Sequence, residues 1–238
     1  MIQIGHASTG ENGGRNNAAG DQTGKEVKIS NWYANGWNQI LRPKTQELAE
    51  KMATICETLC RNECIGYDMN QRNTLHTELK KLGYDISKLN TLCETDCSAF
   101  MTVIAIAAGV TGLEYTTNAP VCSTMKGPFK GTGKFYVIED KKITNSDKYL
   151  NRGDILINTK KHTVMALNNG SCYNECFIGV KGYSVLSLQK KLASKGYTVG
   201  TIDGDFGKKT DDAVRMFQMD NCLTVDGIVG PNTWKALK

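Results

Sequence analysis

At 238 residues, 40% of them hydrophobic, the chain has room for one large domain or two smaller ones. Twenty-nine basic residues against 24 acidic leave a net charge of +5 with no dense Lys/Arg run, so nucleic acid is not an implied partner. No apolar run approaches the ~20 residues that a membrane-spanning helix needs, so no membrane insertion is expected, and the mild positive balance suits an anionic polymer.

The opening residues, MIQIGHASTG, have neither a basic start nor an apolar core, so no secretory signal is expected. The nine cysteines are then expected to be reduced thiols. Residues 1–30 are polar and glycine-rich and read as a loop or disordered arm. NWYANGW brings Trp32, Tyr33 and Trp37 close together, which suits a packed corner first and a carbohydrate-facing surface second. After Pro43, a helix is expected over 44–62, with Leu48, Met52, Ile55, Cys56 and Leu59 on one face. Cys60 and Cys64 fall on or beside that stripe. IGYDMNQ breaks the pattern. A second helix is expected over 71–82, ended by Gly83, with His76 on its solvated face.

The stretch Cys93–Leu113, CETDCSAFMTVIAIAAGVTGL, is the most informative. Phe100–Ala108 is apolar apart from Thr102, rich in alanine and stopped by Gly109, so it reads as a buried helix. Thr95 or Asp96 is the N-cap and Cys97 lies in the first turn. Backbone N–H groups and the helix dipole favour a thiolate there, the nucleophilic form. The carboxylate of Asp96 opposes this unless it points away as a cap. Position alone leaves open a small buried core cysteine.

Residues 110–134 read as irregular. FYVIED, GDILIN and HTVMAL are short β-rich runs, and SCYNECFIGV is expected as a further strand after the turn Asn168-Asn169-Gly170. Helices followed by an antiparallel meander give an α+β domain over 1–178, with the helices packed on one face of the sheet. Residues 179–238 form a second unit. Aligning Asp203 with Asp226 also matches Gly204/Gly227, Gly207/Gly230, Thr210/Thr233 and Ala213/Ala236, an internal repeat of turn-helix units with Pro231 at a helix start. That unit is poor in reactive side chains and reads as a binding module.

LQKKLASKGY, DGDFGKKT, AVRMFQ and VDGIVGPNTWKAL resemble the three-helix peptidoglycan-binding domain found at the ends of many cell-wall hydrolases, over nearly all of 183–238. The resemblance implies bacterial peptidoglycan as partner, met by Asp203, Gly204, Phe206, Asp226, Gly227 and Trp234. DCSAF, LNRGDILI and HTVMALNNG resemble the NlpC-type papain-like peptidoglycan hydrolases, in which a Cys opens a buried helix, a His opens a strand, and the strand between often carries a Gly-Asp pair, here Gly153-Asp154. This implies an α+β papain-like catalytic domain followed by a small three-helix all-α domain. Phage endolysins commonly join two such domains and lack a signal peptide. That implies a monomer kept in the host-cell cytoplasm until its release to the wall.

The roles that follow are Cys97 as nucleophile and His162 as general base, cutting a wall amide by acyl transfer. The third member follows the His on the next strand in that family. Counting lands on Asn174, with Asn168 as the fallback. Of the other two histidines as candidates for the base, His76 is expected on a solvated face and His6 could still reach the cleft from the glycine-rich arm. The backbone N–H of Cys97 and the side chain of Tyr67 are expected at the oxyanion, with Asp96 and Ser98 flanking it or the substrate. Asp21 and Gln22 are placed near the cleft. The bond is expected to be muramoyl–L-alanine (an amidase), or one within the stem peptide (an endopeptidase). No cofactor and no metal are expected. Two other readings are a wall-binding protein with a decayed catalytic domain, and a zinc amidase, for which the chain lacks HExxH.

Overall fold

The computed structural model describes residues 1–9 and 26–238; Asp21 and Gln22 lie outside them. The chain divides into two compact units, Met1–Gly170 and Ser171–Lys238, earlier than the 178/179 boundary read from the sequence.

The first unit runs β1 (Gln3–Ala7), β2 (Val27–Asn31), β3 (Gln39–Pro43), α1 (Gln46–Leu59), β4 (Ile65–Tyr67), α2 (Thr74–Lys81), β5 (Cys93–Thr95), α3 (Cys97–Ala107), α4 (Lys126–Gly131), β6 (Phe135–Ile138), α5 (Lys141–Thr144), β7 (Ile155–Asn158) and β8 (His162–Ala166). Six strands form an antiparallel sheet in the order β2-β1-β8-β7-β3-β6. The order corrects two expectations. The meander is interrupted, because β3 lies between β7 and β6. The supposed arm supplies two strands, β1 and β2. Within β1 only Gln3 is exposed, with Ile4, Gly5, His6 and Ala7 buried, and β1 pairs with β8 through Ile4↔Ala166 and Gly5↔Met165.

Helix α1 starts at Thr45, whose Oγ1 accepts from Leu48 N at 3.2 Å. It buries Met52, Ile55, Cys56 and Leu59 against α3 and the sheet. Helix α3 is buried all round, with Phe100, Met101, Val103 and Ile104 fully covered, and it lies against β8 and β1. Each such side chain contributes about 1.5–3 kcal/mol on leaving water, so this end of α3 is held rigidly. His76 is a correction: it is buried rather than solvated, stacked on Tyr115 at 4.1 Å and hydrogen-bonded to the Tyr84 hydroxyl at 2.9 Å. The segment 110–134, read as irregular, contains α4.

The Gly153-Asp154 pair has a structural basis. Gly153 has φ +89°, and a Cβ there would stand 2.5 Å from the Ala49 carbonyl oxygen in α1. Buried Asp154 takes a two-pronged ion pair from Arg42 at 2.8 and 2.6 Å and accepts from Asn151 N at 2.8 Å. Helix α1, strand β3 and the start of β7 are thereby tied together.

The second unit contains α6 (Tyr183–Ser194), α7 (Lys208–Asp220) and α8 (Pro231–Ala236). Its repeat is built around two buried glutamines. The Gln189 side-chain oxygen accepts from Asp203 N and Gly204 N at 3.1 and 2.8 Å, and its amide donates to Thr210 Oγ1 at 3.2 Å. Gln218 repeats this with Gly227 N at 3.0 Å and Thr233 Oγ1 at 3.3 Å. The expected strand SCYNECFIGV is absent: Cys176 makes an isolated bridge to Val229, and the run has no alternating partner to extend it.

Candidate active site

Strand β5 runs directly into Asp96 and α3, and β4 pairs parallel to β5, setting Tyr67 beside Thr95. Asp96 is the N-cap: its Oδ1 accepts from Ser98 N at 2.9 Å and Ala99 N at 2.7 Å. Its other oxygen takes Arg72 Nε at 2.5 Å, and Arg72 Nη2 reaches Ser98 Oγ at 2.9 Å. The guanidinium also donates to the carbonyls of Ala119 and Pro120. The sequence reading set Asp96 and Ser98 at the oxyanion or substrate; the structure engages their polar atoms in this buried Arg72 network. The carboxylate thus faces the helix and its counter-ion, which removes its opposition to a thiolate at Cys97. Arg72 sits in a polar segment between elements, and no local pattern marks it.

Strand β8 opens with His162, which lines the same cleft as Cys97 and lies close enough to draw the thiol pKa down. Strand β1 lies beside β8, and His6 Nδ1 stands 3.0 Å from His162 Nε2. His6 Nε2 is in turn 3.0 Å from Ser30 Oγ on β2. Burial first, then the neighbouring His162 and Lys28 charges, lower the His6 pKa to about 3, so His6 is neutral near pH 7. A neutral His6 that donates from Nε2 to Ser30 accepts at Nδ1 from His162 Nε2–H. That leaves His162 Nδ1 as the ring nitrogen outside this chain of hydrogen bonds.

His6 therefore lies beside His162, where the sequence reading expected Asn174. The physical reason is strand order: the strand next to β8 comes from the start of the chain, not from the residues after it. Asn174 belongs to the second unit. Its side-chain oxygen accepts from Ser184 Oγ at 3.2 Å and its carbonyl from Trp234 Nε1 at 2.9 Å. The fallback, Asn168, clasps the start of β1, accepting from Gln3 N at 2.7 Å. The alternation of Ile2 and Ile4 with Gln3 in the sequence was the signal that could have found β1.

The cleft over these groups has a volume of about 500 Å³ and is lined by Tyr33, Tyr67, Cys97, Cys122, Lys161 and His162, among others. The aromatics of NWYANGW pack around the imidazoles, with buried Trp37 at 6.3 Å from His162 and Tyr33 at 6.4 Å from His6. The Cys122 sulfur is 3.6 Å from that of Cys97. Its hydrogen bond and the burial of Cys97 push the Cys97 thiol well up, while His162 acts in the opposite direction. A thiol so placed is neutral at rest and needs a base at the moment of attack. All nine cysteines are free thiols, and among the described residues no group of three or more His, Cys, Asp and Glu is arranged to hold a metal ion.

In the second unit, the residues proposed to meet the wall separate into two groups. Phe206 is fully buried and Gly204 and Gly227 carry positive φ inside the glutamine-held turns. Asp203 Oδ1 and Asp226 Oδ1 receive those glutamine amides at 3.2 and 2.9 Å. These five positions build the fold. Trp234 lines an open cavity of about 550 Å³, with Tyr173, Tyr183 and Pro231, and Asp226 also borders a smaller one of about 170 Å³.

Comparison with known proteins joins this geometry to a family. Residues 181–237 match the peptidoglycan binding domain model. N-acetylmuramoyl-L-alanine amidase CwlM of Mycobacterium tuberculosis is 31% identical over 36% of this chain and 21% of its own length. The spore cortex-lytic enzyme of Bacillus cereus is 41% identical over 25% of this chain and 23% of its own. The chain thus spans less than a quarter of each of these relatives. The crystal structure of Burkholderia AP3 phage endolysin is 39% identical over 27% of this chain and 24% of that one, with a TM-score of 0.26. No helix among the described residues is long and apolar enough to cross a membrane. The endolysin-like domain model matches residues 4–173, well over half of the chain, and the chain therefore belongs to the endolysin-like domain family.

Proposed function

We propose that the chain is a cysteine-dependent peptidoglycan hydrolase of the papain-like, NlpC-type kind, a phage-type endolysin that cuts an amide bond of the wall. The observation that carries this reading is that Cys97 and His162, a nucleophile and a base, line one cleft, with His6 against the far side of His162 and Ser30 against His6. His162 takes the thiol proton as Cys97 Sγ attacks the amide carbonyl carbon. The resulting oxyanion sits at the start of α3, where the Cys97 backbone N–H is free of an intrahelical partner by its position, with Tyr67 beside it. His162 returns the proton to the leaving amine, and the acyl-enzyme is released by water along the same route. His6, kept neutral by burial, holds the imidazole in the required tautomer.

The same machinery serves an N-acetylmuramoyl-L-alanine amidase and a stem-peptide endopeptidase. The amidase is favoured because one relative carries that name. The protein is proposed to act as a monomer, without cofactor, reaching the wall from the cytoplasm of a host cell. Mass spectrometry of fragments released from purified peptidoglycan tests this with wild type and Cys97→Ala side by side. Cys97→Ala is expected to lose at least about 10³-fold in kcat while still sedimenting with the wall. Stem peptides beginning at L-alanine identify the amidase, and fragments cut inside the stem identify the endopeptidase. Undiminished release by Cys97→Ala would overturn the cysteine mechanism.

A further inference from the structure

The mechanism leaves one thiol in the cleft unused. Cys122 stands 3.6 Å from Cys97, sulfur to sulfur, which is van der Waals contact. A disulfide bond is about 2.05 Å long, so closure needs an approach of roughly 1.5 Å. The two sides differ in how freely they can supply it. Cys97 is fixed in the first turn of a helix buried all round. Cys122 lies in the turn ahead of α4, outside any helix or strand, and is half-buried. Both line the open cleft, so a small oxidant has a path to them.

The other close thiols lack that path. Cys56 is fully buried on α1, and a Cβ added at Gly5 would meet its sulfur at 2.4 Å and that of Cys60 at 3.2 Å. Those sulfurs are packed against β1, away from the cleft.

We propose that Cys97 and Cys122 are a site of reversible oxidative modification, where a small disulfide such as oxidised glutathione closes an internal disulfide and so withdraws the nucleophile. The loss of activity rests on Cys97 being that nucleophile; the bond itself rests only on where the two sulfurs lie. Exchange proceeds in two balanced steps. The Cys122 thiolate attacks one sulfur of oxidised glutathione, forming a mixed disulfide and expelling a glutathione thiolate. Cys97 then passes its proton to His162, and its thiolate attacks the Cys122 sulfur, expelling the second glutathione thiolate. The two protons end on the two glutathiones: two protein thiols are oxidised and one glutathione disulfide is reduced. Cys122 suits the first step, because its hydrogen bond with Cys97, helped by Ser98, lowers its thiol pKa against the effect of burial. Its position next to Cys97 also gives a sulfur at the nucleophile an internal partner before it can climb to irreversible oxidation states.

The test exposes the full chain to oxidised glutathione, alkylates the remaining thiols and maps the peptides, with wall lysis measured on the same samples. The expected result is a cross-linked peptide joining residues 97 and 122, lysis lost in proportion to the cross-linked fraction, and both reversed by dithiothreitol. Cys122→Ser is expected to give no cross-link and to leave Cys97 alkylated or carrying glutathione. Alkylation of both thiols in the wild type, or a glutathione adduct that never resolves to the cross-link, would overturn the proposal even if Cys97→Ala had abolished lysis. A cross-link formed without loss of lysis would instead sink the assignment of Cys97 as nucleophile, and with it the inactivation, leaving the bond in place.

Discussion

At His6 a protonation equilibrium becomes a stability term. Its pKa falls from 6.5 to about 3 on folding, so between those values the unfolded chain holds a proton that the folded chain does not. The contribution of a neutral His6 is complete above pH ~6.5 and is lost as pH falls toward 3. Thermal unfolding across that window should show Tm dropping with pH, and His6→Gln should flatten the drop. As a positioning residue, His6 should also matter for rate: His6→Gln is expected to lower kcat by about 10²–10⁴-fold. Asn174→Ala is expected to leave kcat on soluble wall fragments unchanged, because its bonds are to Ser184 and Trp234. If Asn174→Ala abolished turnover and His6→Gln did not, the roles argued from strand order would be reversed. Cys97 and His162 stand out in the sequence through the resemblance of DCSAF and HTVMALNNG to the NlpC-type hydrolases, since position alone leaves Cys97 open as a core cysteine. His6 could not be ranked above Asn174 there, because its partner lies 156 residues away and only the pairing of β1 with β8 brings the two rings together.

Among the elements, the junction of α1, β3 and β7 has the least tolerance. Gly153→Ala forces a side chain into positive φ and drives its Cβ to 2.5 Å from the backbone of Ala49. A loss well above ~1 kcal/mol is expected, measured by urea unfolding. Arg42→Met strands Asp154 as a buried unpaired carboxylate and should cost about 3–5 kcal/mol. Both losses should appear as lower midpoints with unchanged kcat in the folded fraction; an Arg42→Met protein as stable as wild type would refute the account of this junction. Helices α1, α2 and α3 were legible from apolar spacing and from Asp96 and Gly83 at their ends. The sheet order was not. Nothing local tells β6 to pair with β3 rather than β7, and two short strands at the start look like loop when Gly and Asn dominate the residues between them.

For the molecule as a whole, the proposed hydrolysis and wall association fall to separate sequence segments. The peptidoglycan binding domain match covers 181–237, and within it Trp234 is the proposed contact that faces the larger open cavity. Trp234→Ala is expected to weaken sedimentation with peptidoglycan by roughly tenfold or more, as for an aromatic anchor, while turnover of soluble fragments is kept. Equal sedimentation of the variant would move the contact elsewhere. The repeat was legible as matched Asp-Gly turns, but their role was not: Gln189 and Gln218, which hold the turns, lie outside the matched positions, so the turns read as ligand contacts instead of scaffold.

If the proposed cysteine mechanism holds, the position of β1 also governs when the chain becomes dangerous to a wall. During synthesis β1 and β2 leave the ribosome early and can pair at once, but the neighbour that completes the catalytic line, β8, is made near the end of the first unit. Joining His6 to His162 closes a loop of 156 residues, an entropic cost on the order of 4 kcal/mol that the rest of the sheet and α3 must offset first. On the proposed mechanism a nascent chain that stops before His162 carries Cys97 without its base, so hydrolytic power arrives only once β8 is made rather than growing with chain length.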